Sequence, residues 1–277
     1  MENRIRRAVE EYRLTKTEKI KGNEDRAVLS GVSEDYGDVI LKLDTDILQA
    51  DLEYAVMESF EGRGYCRMHR FDTFPDTDGR RTFSAYLEER ILPGTPLREE
   101  PSPERRVEVF CRCFHAIHTE GFYGTEYLQW LEDALRFVLQ YYPGTDVETM
   151  ARKAHAICVD IYKRYPGCIQ LHGDLHHDNI LLRIYGSYAI IDPKVVTGPA
   201  ILDVPRFLYN EIGMGTGNQE AHIRKLMELL SSALTYPVSD MGNLLYMETV
   251  LANIWFLEDG MALRCEDLEL AGRFLSD

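Results

Sequence analysis

The stretch "LHGDLHHDNILL", from Leu171 to Leu182, concentrates three histidines and two aspartates in twelve residues. Imidazole and carboxylate groups are the usual protein ligands of zinc, so a metal-dependent hydrolase is one interpretation. Its ligands would be five side chains: His172, Asp174, His176, His177 and Asp178. Zinc sites usually recruit more distant ligands as well, and the sequence has no HExxH helix or distant Cys/His set. This interpretation is therefore the weaker one.

The spacing of three side chains favours a different chemistry. Asp174 is followed five residues later by Asn179, and Asp192 ends the apolar run "YAIID" thirteen residues further on. Phosphoryl transfer uses such a trio: one carboxylate accepts the proton of the acceptor hydroxyl, while an amide and a second carboxylate hold Mg²⁺ against the phosphates. A loop, a tight hairpin and an aspartate after the second strand would bring the three together. The pattern predicts a phosphotransferase.

The elements around the motif change character along the chain. "AVLSGV" and "VILKL" predict a hairpin, a helix follows from Asp46, and "RTFSAYLEERI" predicts another strand. After the Pro- and Gly-rich "LPGTPLREEPSP", three helices are predicted over 104–118, 125–142 and 147–165. We therefore predict an α+β fold with a small β-rich lobe, residues 1–91, and a larger, mostly helical lobe, residues 92–277.

"HGDLHHDNIL" followed by "AIIDPKVVTGPAILDVPRFLYN" resembles the aminoglycoside phosphotransferases, and in particular their streptomycin 6-phosphotransferase and hydroxyurea-resistance branch. A looser similarity runs from about Val28 to Gly260. The resemblance implies the two-lobed fold of the protein kinases and transfer of the γ-phosphate of ATP, or of GTP, to a small-molecule hydroxyl. It implies that Asp174 is the catalytic base and that Asn179 and Asp192 bind Mg²⁺.

The resemblance also implies supporting roles around the loop. His172 would brace the loop and Asp203 in "ILDVPRF" would anchor it, although Asp203 could equally cap a helix. His176 lies two residues after the base and could contact the γ-phosphate. Hydrogen bonding within the loop is the simpler interpretation of His177, and solvation that of Lys194.

At the nucleotide end, the resemblance gives Lys42 in "VILKL" the role of binding the α- and β-phosphates while paired with a helix glutamate. At roughly 100° per residue, Glu53 lies closer than Glu58 to the apolar side of the helix, so Glu53 is the expected partner. Backbone amides near Gly22 and Asn23 would cover the phosphates. Adenine would bond to the backbone of "EERI", at two residues: Glu89 and Ile91.

The acceptor end is predicted from the last long helix, "MGNLLYMETVLANIWFLEDG". Glu248, Trp255 and Asp259 share one helical face, and Glu258 adjoins them. Glu258 and Asp259 also end the helix, where the macrodipole disfavours negative charge. Carboxylates around an aromatic ring suit a guanidinium or ammonium group. A cationic, streptomycin-like acceptor is expected, although a core tryptophan with solvated acids fits the same pattern.

The composition limits the partners. The formal net charge is −15, and residues 91–277 carry 16 Lys/Arg against 26 Asp/Glu, or −10 of that total. Such a balance argues against nucleic-acid or anionic-membrane partners. The six cysteines show no CxxC pair and no regular spacing, which favours reduced thiols, and the charged N-terminus lacks an apolar stretch. Both features indicate a cytoplasmic enzyme. A kinase of ordinary metabolites and an inactive nucleotide-binding module remain alternatives, and the oligomeric state is left open.

Overall fold

The structure is a computed structural model and describes residues 1–76, 81–118, 124–215 and 217–276. The chain divides into two compact units. The first comprises Met1–Thr95 and Leu181–Asp192, and the second Pro96–Ile180 and Pro193–Asp277. The division thus differs from a single split after residue 91, because the hairpin that follows the loop motif belongs with the N-terminal residues.

The first unit contains a five-stranded antiparallel sheet in the order β1-β2-β3-β5-β4. Its strands are β1 Thr15–Gly22, β2 Arg26–Ser33, β3 Gly37–Asp44, β4 Met68–Pro75 and β5 Thr82–Glu89. Helix α1, Glu2–Glu11, was not anticipated from the sequence; Ala8 and Tyr12 at its end join the apolar core of the sheet with Leu29, Leu41 and Leu87. Strands β2 and β3 are mostly buried, with exposed residues only where each strand starts.

Helix α2, Ile47–Ser59, begins where the sequence predicts. The Asp46 side chain caps it by accepting a hydrogen bond from Gln49 N at 3.1 Å. Val56 is buried, whereas Leu48, at the start of the predicted apolar side, is 71% exposed. The buried side of α2 therefore consists of Ala50 in the first turn and of Val56 and Met57 in the later turns.

A second, three-stranded sheet has the order β10-β9-β6. Its strands are β6 Pro93–Pro96, β9 Ile180–Arg183 and β10 Tyr188–Ile190. The hairpin predicted from "NILLRI" and "YAIID" is therefore present, and Cys66 N donates to Ile190 O at 3.0 Å. This pairing ties the hairpin to the first unit and fixes the position of Asp192, two residues beyond β10.

The second unit is mostly helical. Its helices are α3 Pro103–Ile117, α4 Tyr127–Tyr141, α5 Asp146–Arg164, α6 Val204–Glu211, α7 Gln219–Leu234, α8 Val238–Glu258 and α9 Cys265–Gly272. A small sheet in the order β7-β11-β8 consists of β7 Thr125–Glu126, β8 Ile169–Leu171 and β11 Val196–Gly198. Fourteen residues of α8 are buried, so it forms the centre of this unit. Over the described residues, no helix combines the length and apolar character that crossing a bilayer requires.

Candidate active site

The loop that follows β8 is held from below by Asp203. The Asp203 carboxylate accepts hydrogen bonds from the backbone amides of His172 and Gly173, at 2.9 and 2.7 Å, and lies 2.8 Å from His118 Nε2. Burial would raise the pKa of Asp203, but these bonds, with His118 foremost, hold it below its ordinary value. Asp203 precedes α6 but makes no side-chain cap bond there. Its carboxylate thus serves the loop.

Gly173 is required by the path of the chain at this point. Its φ is +74°, which glycine adopts at little cost. A Cβ atom at this position would also lie 2.7 Å from Val196 Cγ2 and 3.0 Å from Trp130 Cη2. The turn therefore places Asp174 directly after a tightly packed glycine.

Asp174 and Asn179 are joined within the loop. Asn179 Nδ2 donates to Asp174 O at 2.9 Å, and Asp174 N donates to His172 Nδ1 at 3.1 Å. The Asp174 side chain is 20% exposed, with Lys194 Nζ 3.8 Å from its Oδ2. A carboxylate fixed at its main chain and open at its side chain is suited to accept a proton.

Two anchors of the loop were not found by sequence reasoning. Buried His177 places Nε2 2.8 Å from Glu211 Oε1, and Glu211 also accepts two bonds from Arg106, at 2.6 and 2.7 Å. Asp178 accepts a bidentate pair from Arg98, both bonds at 2.7 Å. These two arginines and the glutamate lie far from the motif in the sequence, and only packing brings them to it.

His176 is uncharged near neutral pH, because burial lowers its pKa to about 4 despite the adjacent Asp174. Its Nδ1 accepts from Asp178 N at 3.2 Å, so the proton of the neutral ring lies on Nε2, 3.6 Å from Asp174 Oδ1. His176 can therefore offer a hydrogen bond but not a positive charge.

In the first unit, Lys42 is the centre of a buried ionic cluster. Its Nζ lies 2.9 Å from Glu53 Oε1 and 3.0 Å from Glu88 Oε2, and it also contacts Asp192 Oδ1. Burial would lower the pKa of Lys42, but Asp192, Glu53 and Glu88 raise it well above its ordinary value. The alternative partner, Glu58, bonds to Tyr54. Lys42 therefore stays protonated, and the carboxylates around it compensate its positive charge.

A pocket of about 360 Å³ adjoins this cluster within the first unit. Aliphatic side chains provide much of its lining: Val28, Ile40, Leu181 and Ile191. Lys21, Lys42, Glu88 and Asp192 provide polar groups, and residues 89–91 complete one side. An apolar slot with ammonium and carboxylate groups suits a flat aromatic base joined to a charged group.

Of the remaining residues expected at the nucleotide, two line this pocket and the two of the β1 end do not. Glu89 and Ile91 line it, and the Glu89 side chain is bound by Arg67 N, at 3.0 Å, and by Arg183. Gly22 ends β1 and Asn23 begins the turn that follows, where Asn23 Oδ1 accepts hydrogen bonds from the amides of residues 25 and 26, both at 2.8 Å. The lining from β1 is Ile20 and Lys21, not the turn itself.

Asp192 has a left-handed backbone, with φ +58°, which is uncommon for a residue other than glycine. Its Oδ1 contacts Lys42 and its Oδ2 lies 3.5 Å from Lys21 Nζ. A strained backbone at a charged pocket is typical of functional positions. Asp192 is thus placed at the pocket by a conformation that the surrounding structure must enforce.

Glu88 also contacts Lys42, and sequence reasoning did not identify it. A glutamate in a buried strand gives no sign of which residue it will contact. Burial raises the pKa of Glu88 to about 7; Lys42 opposes the rise, and Asp192 and Glu53 add to it. The folded protein therefore binds a proton at Glu88 that the unfolded chain, with an ordinary glutamate, releases near pH 4.5. Its contribution to folding is largest at low pH and declines as pH rises from about 4.5 to 7.

We expect Glu88→Gln to remove this decline. The free energy of unfolding of the variant relative to the wild type should be higher at pH 8 than at pH 5, by up to about 3 kcal/mol for a shift of this size. Urea unfolding at the two pH values measures it. Glu89→Gln is the matched control, because Arg183 and Arg67 lower the pKa of Glu89 although burial opposes them. An equal difference at both pH values for Glu88→Gln would contradict the prediction.

The acceptor helix is only partly as the sequence suggests. Glu258 and Asp259 are exposed at the end of α8, and neither forms an ion pair within the described ranges. Glu248, by contrast, is fully buried: Tyr127 Oη donates to its Oε2 at 2.7 Å, and Arg206 Nη2 lies 2.9 Å from its Oε1. Trp255 packs edge-on against Trp130, with ring centroids 5.7 Å apart. Glu248 therefore binds Tyr127 and Arg206 in the interior of the second unit, whereas Glu258 and Asp259 face solvent.

The histidines of the loop do not converge on one point. His172 Nδ1 accepts from Asp174 N, His177 is engaged by Glu211, and His176 lies between Asp174 and Asp178. Among the residues that the structure describes, no group of three or more His, Cys, Asp or Glu side chains is arranged to hold a metal ion. The zinc-hydrolase interpretation has no geometric support there.

The sequence and the structure were also compared with known proteins. Residues 85–260 match the family described as aminoglycoside/hydroxyurea antibiotic resistance kinase. A search of curated protein sequences gives no significant match.

Three solved structures similar to this chain are kinases. A thermostable mutant of aminoglycoside phosphotransferase APH(4)-Ia with AMP-PNP and hygromycin B has a TM-score of 0.69 at 12% identity, covering 97% of this chain and 95% of that one. Choline kinase LicA from Streptococcus pneumoniae has a TM-score of 0.68 at 12% identity, over 99% and 98%. Amicoumacin kinase hAmiN, with AMP-PNP, Ca²⁺ and Ami, has a TM-score of 0.69 at 14% identity, over 99% and 91%. These likenesses confirm the kinase-like fold, with a β-rich N-terminal region and a helical C-terminal region.

Proposed function

The chain belongs to the aminoglycoside/hydroxyurea antibiotic resistance kinase family, and we propose that it transfers the γ-phosphate of ATP to a hydroxyl group of a small, cationic acceptor. The observation that carries this proposal is the loop of the second unit. There the Asp174 main chain is held by His172 and Asn179 while its carboxylate stays 20% exposed. The reaction is a cytoplasmic small-molecule phosphorylation.

Asp174 acts as the general base. Its carboxylate accepts the proton of the acceptor hydroxyl as that oxygen forms a bond to the γ-phosphorus and the bond to the β-phosphate oxygen breaks. The loop supports this role by fixing the main chain on both sides of the base, since near-attack geometry accounts for much of the rate in such reactions.

The cluster around Lys42 receives the nucleotide. The base would lie between the aliphatic side chains of the pocket, with the backbone at Glu89 and Ile91 along its edge, and Lys42 would bind the α- and β-phosphates. Its three acidic contacts hold the ammonium in place before the nucleotide arrives. ATP is the expected donor, because two of the kinases of like fold were solved with AMP-PNP. GTP is the alternative.

Asn179 and Asp192 have the donor groups that Mg²⁺ takes, an amide oxygen and a carboxylate. Asn179 uses its amide nitrogen on Asp174 O, which leaves the oxygen of the same amide for a metal ion. When bound, Mg²⁺ would neutralise the charge that develops on the phosphates. The described residues offer no competing three-ligand site.

The acceptor is proposed to be cationic, as a streptomycin-like aminocyclitol is. Glu258 and Asp259 support this, because both are exposed and lack a cationic partner in the described parts of the chain. Partial burial and the neighbouring carboxylates of Asp259 and Asp133 raise the pKa of Glu258.

The first test is a nucleotide-consumption screen with Mg-ATP and Mg-GTP across aminoglycosides, hydroxyurea, peptide antibiotics, sugars and common metabolites. We expect consumption that requires a hydroxyl acceptor, greatest with a cationic one. Saturable nucleotide binding without turnover on any acceptor would favour the inactive nucleotide-binding module. A neutral metabolite as the best acceptor would favour a metabolite kinase.

Replacing Glu258 and Asp259 together with Gln and Asn should raise the KM of the best acceptor and reduce its dependence on salt. The reason is that two carboxylates both orient a multiply charged ligand and speed its capture, and the capture component is screened by salt. The KM of the nucleotide should be unchanged. Steady-state kinetics at two ionic strengths measure both, with Glu266→Gln and Asp267→Asn on α9 as the matched control. Normal acceptor binding by the variant would assign these acids to solvated surface.

A further inference from the structure

Arg206, on α6, is a largely enclosed cation beside the proposed catalytic base. Its side chain is 14% exposed, and its guanidinium contacts three groups of the second unit. Nε lies 3.4 Å from Asp174 Oδ1, Nη2 lies 2.9 Å from Glu248 Oε1, and the group lies over the Trp255 ring at 5.2 Å from its centroid. The acid and the aromatic ring that suit a cationic ligand are thus already occupied by a cation of the protein itself.

The position of Arg206 is fixed from the side away from the base. Glu248 is fully buried, and its second oxygen accepts from Tyr127 Oη at 2.7 Å. Burial would lower the pKa of Arg206, but Glu248 and Asp174 raise it. The guanidinium is therefore charged and forms an ion pair with Glu248 Oε1, an oxygen that makes no hydrogen bond among the described residues.

The Nε group of Arg206 has an unused donor. It is buried and makes no hydrogen bond with any residue that the structure describes. The 3.4 Å distance to Asp174 Oδ1 is longer than a well-formed bond of this type. A buried donor without an acceptor is costly and calls for an explanation. The Asp174 carboxylate lies within ion-pair distance of this donor, and a small movement of that carboxylate would complete the bond.

We propose that Arg206 is a positioning residue that engages Oδ1 of Asp174, so that Oδ2 faces the acceptor hydroxyl, with Glu248 and Tyr127 holding Arg206 in place. The proposal rests on the role of Asp174 in the proposed function. The proton of the acceptor hydroxyl then passes to Oδ2. A cation next to a base weakens it, but phosphoryl transfer through a loose transition state depends more on placement than on base strength.

The test is the kinetics of Arg206→Met and Arg206→Lys with the best acceptor at saturating Mg-ATP. Because a displacement of about 1 Å can cost on the order of 10²-fold, we expect kcat to fall by ~10- to 10²-fold in Arg206→Met and by less in Arg206→Lys, which keeps the charge. The KM values of acceptor and nucleotide should stay within about twofold. Arg164→Met is the matched control, because it removes an arginine that pairs with buried Asp240 at 2.5 Å in the same unit. It should keep wild-type kcat.

Arg206→Met leaves the Glu248 charge buried and unpaired, which can prevent folding. The double variant Arg206→Met, Glu248→Gln removes both charges, and it should fold and show the same low kcat. Wild-type kcat in the double variant would overturn the proposal. A raised acceptor KM with unchanged kcat would do the same, by making Arg206 a binding residue. If Asp174→Ala is inactive while the Arg206 variants are normal, only this inference fails. A wild-type protein that phosphorylates no acceptor would refute the proposed function, and this inference with it.

Discussion

Asp174→Ala is expected to lose phosphoryl transfer by ~10²- to 10⁴-fold or more, the usual effect of removing a general base. Nucleotide affinity should be retained, because Lys42 and the aliphatic pocket belong to the first unit. The loop should keep its shape as well: the bonds that fix residue 174 use its backbone N and O, which alanine also has. Single-turnover kinetics and nucleotide calorimetry on the same preparation measure the two effects separately.

The matched control for this prediction is Asp178→Asn. Asp178 is a carboxylate of the same loop, and asparagine keeps one acceptor for Arg98, so turnover should remain near wild type. Transfer by Asp174→Ala at a rate close to the wild type would remove Asp174 from the role of base. An equal loss in both variants would attribute the effect to disturbance of the loop.

Asp192→Asn is expected to abolish most of the Mg²⁺ dependence of nucleotide binding and to lower the transfer rate by at least ~10²-fold. One charged ligand is lost from an ion that keeps few protein contacts, and metal stabilisation of phosphoryl charge amounts to several kcal/mol. Calorimetric titration with and without Mg²⁺ measures the binding part. A metal dependence equal to that of the wild type would exclude Asp192 as a ligand.

Asp192 both contacts Lys42 and is proposed to bind Mg²⁺, and the variant Glu53→Gln distinguishes these two roles. Asp192 and Glu53 both contact Lys42 Nζ, so either substitution removes one carboxylate from the lysine. Of these two carboxylates, only Asp192 is proposed to bind the metal ion. Glu53→Gln should therefore weaken nucleotide binding while its response to Mg²⁺ is preserved. If both variants lose the response, the effect arises through Lys42.

Features that depend on local spacing could be predicted from the amino-acid sequence alone. The interval from Asp174 through Asn179 to Asp192, with the hairpin between, predicted the hairpin that the structure contains, and its phosphotransfer chemistry stays a prediction. Helical phase distinguished Glu53 from Glu58 as the acid facing Lys42, because one turn of helix fixes which side chains share a face. The helix start at Asp46 and the change from strands to helices follow from the same short-range rules.

Tertiary structure alone decided the partners that come from distant segments. Glu88 reaches Lys42 only because β5 pairs with β3, and a buried strand gives no sign of which polar side chain it orients inward. Arg106 and Arg98 reach the loop through helix and loop packing. Helical spacing correctly put Glu248 and Trp255 on one face of α8, but it could not reveal that Arg206 from α6 occupies that face. Spacing specifies which residues neighbour one another on one element, whereas burial and charge compensation depend on what packs against it.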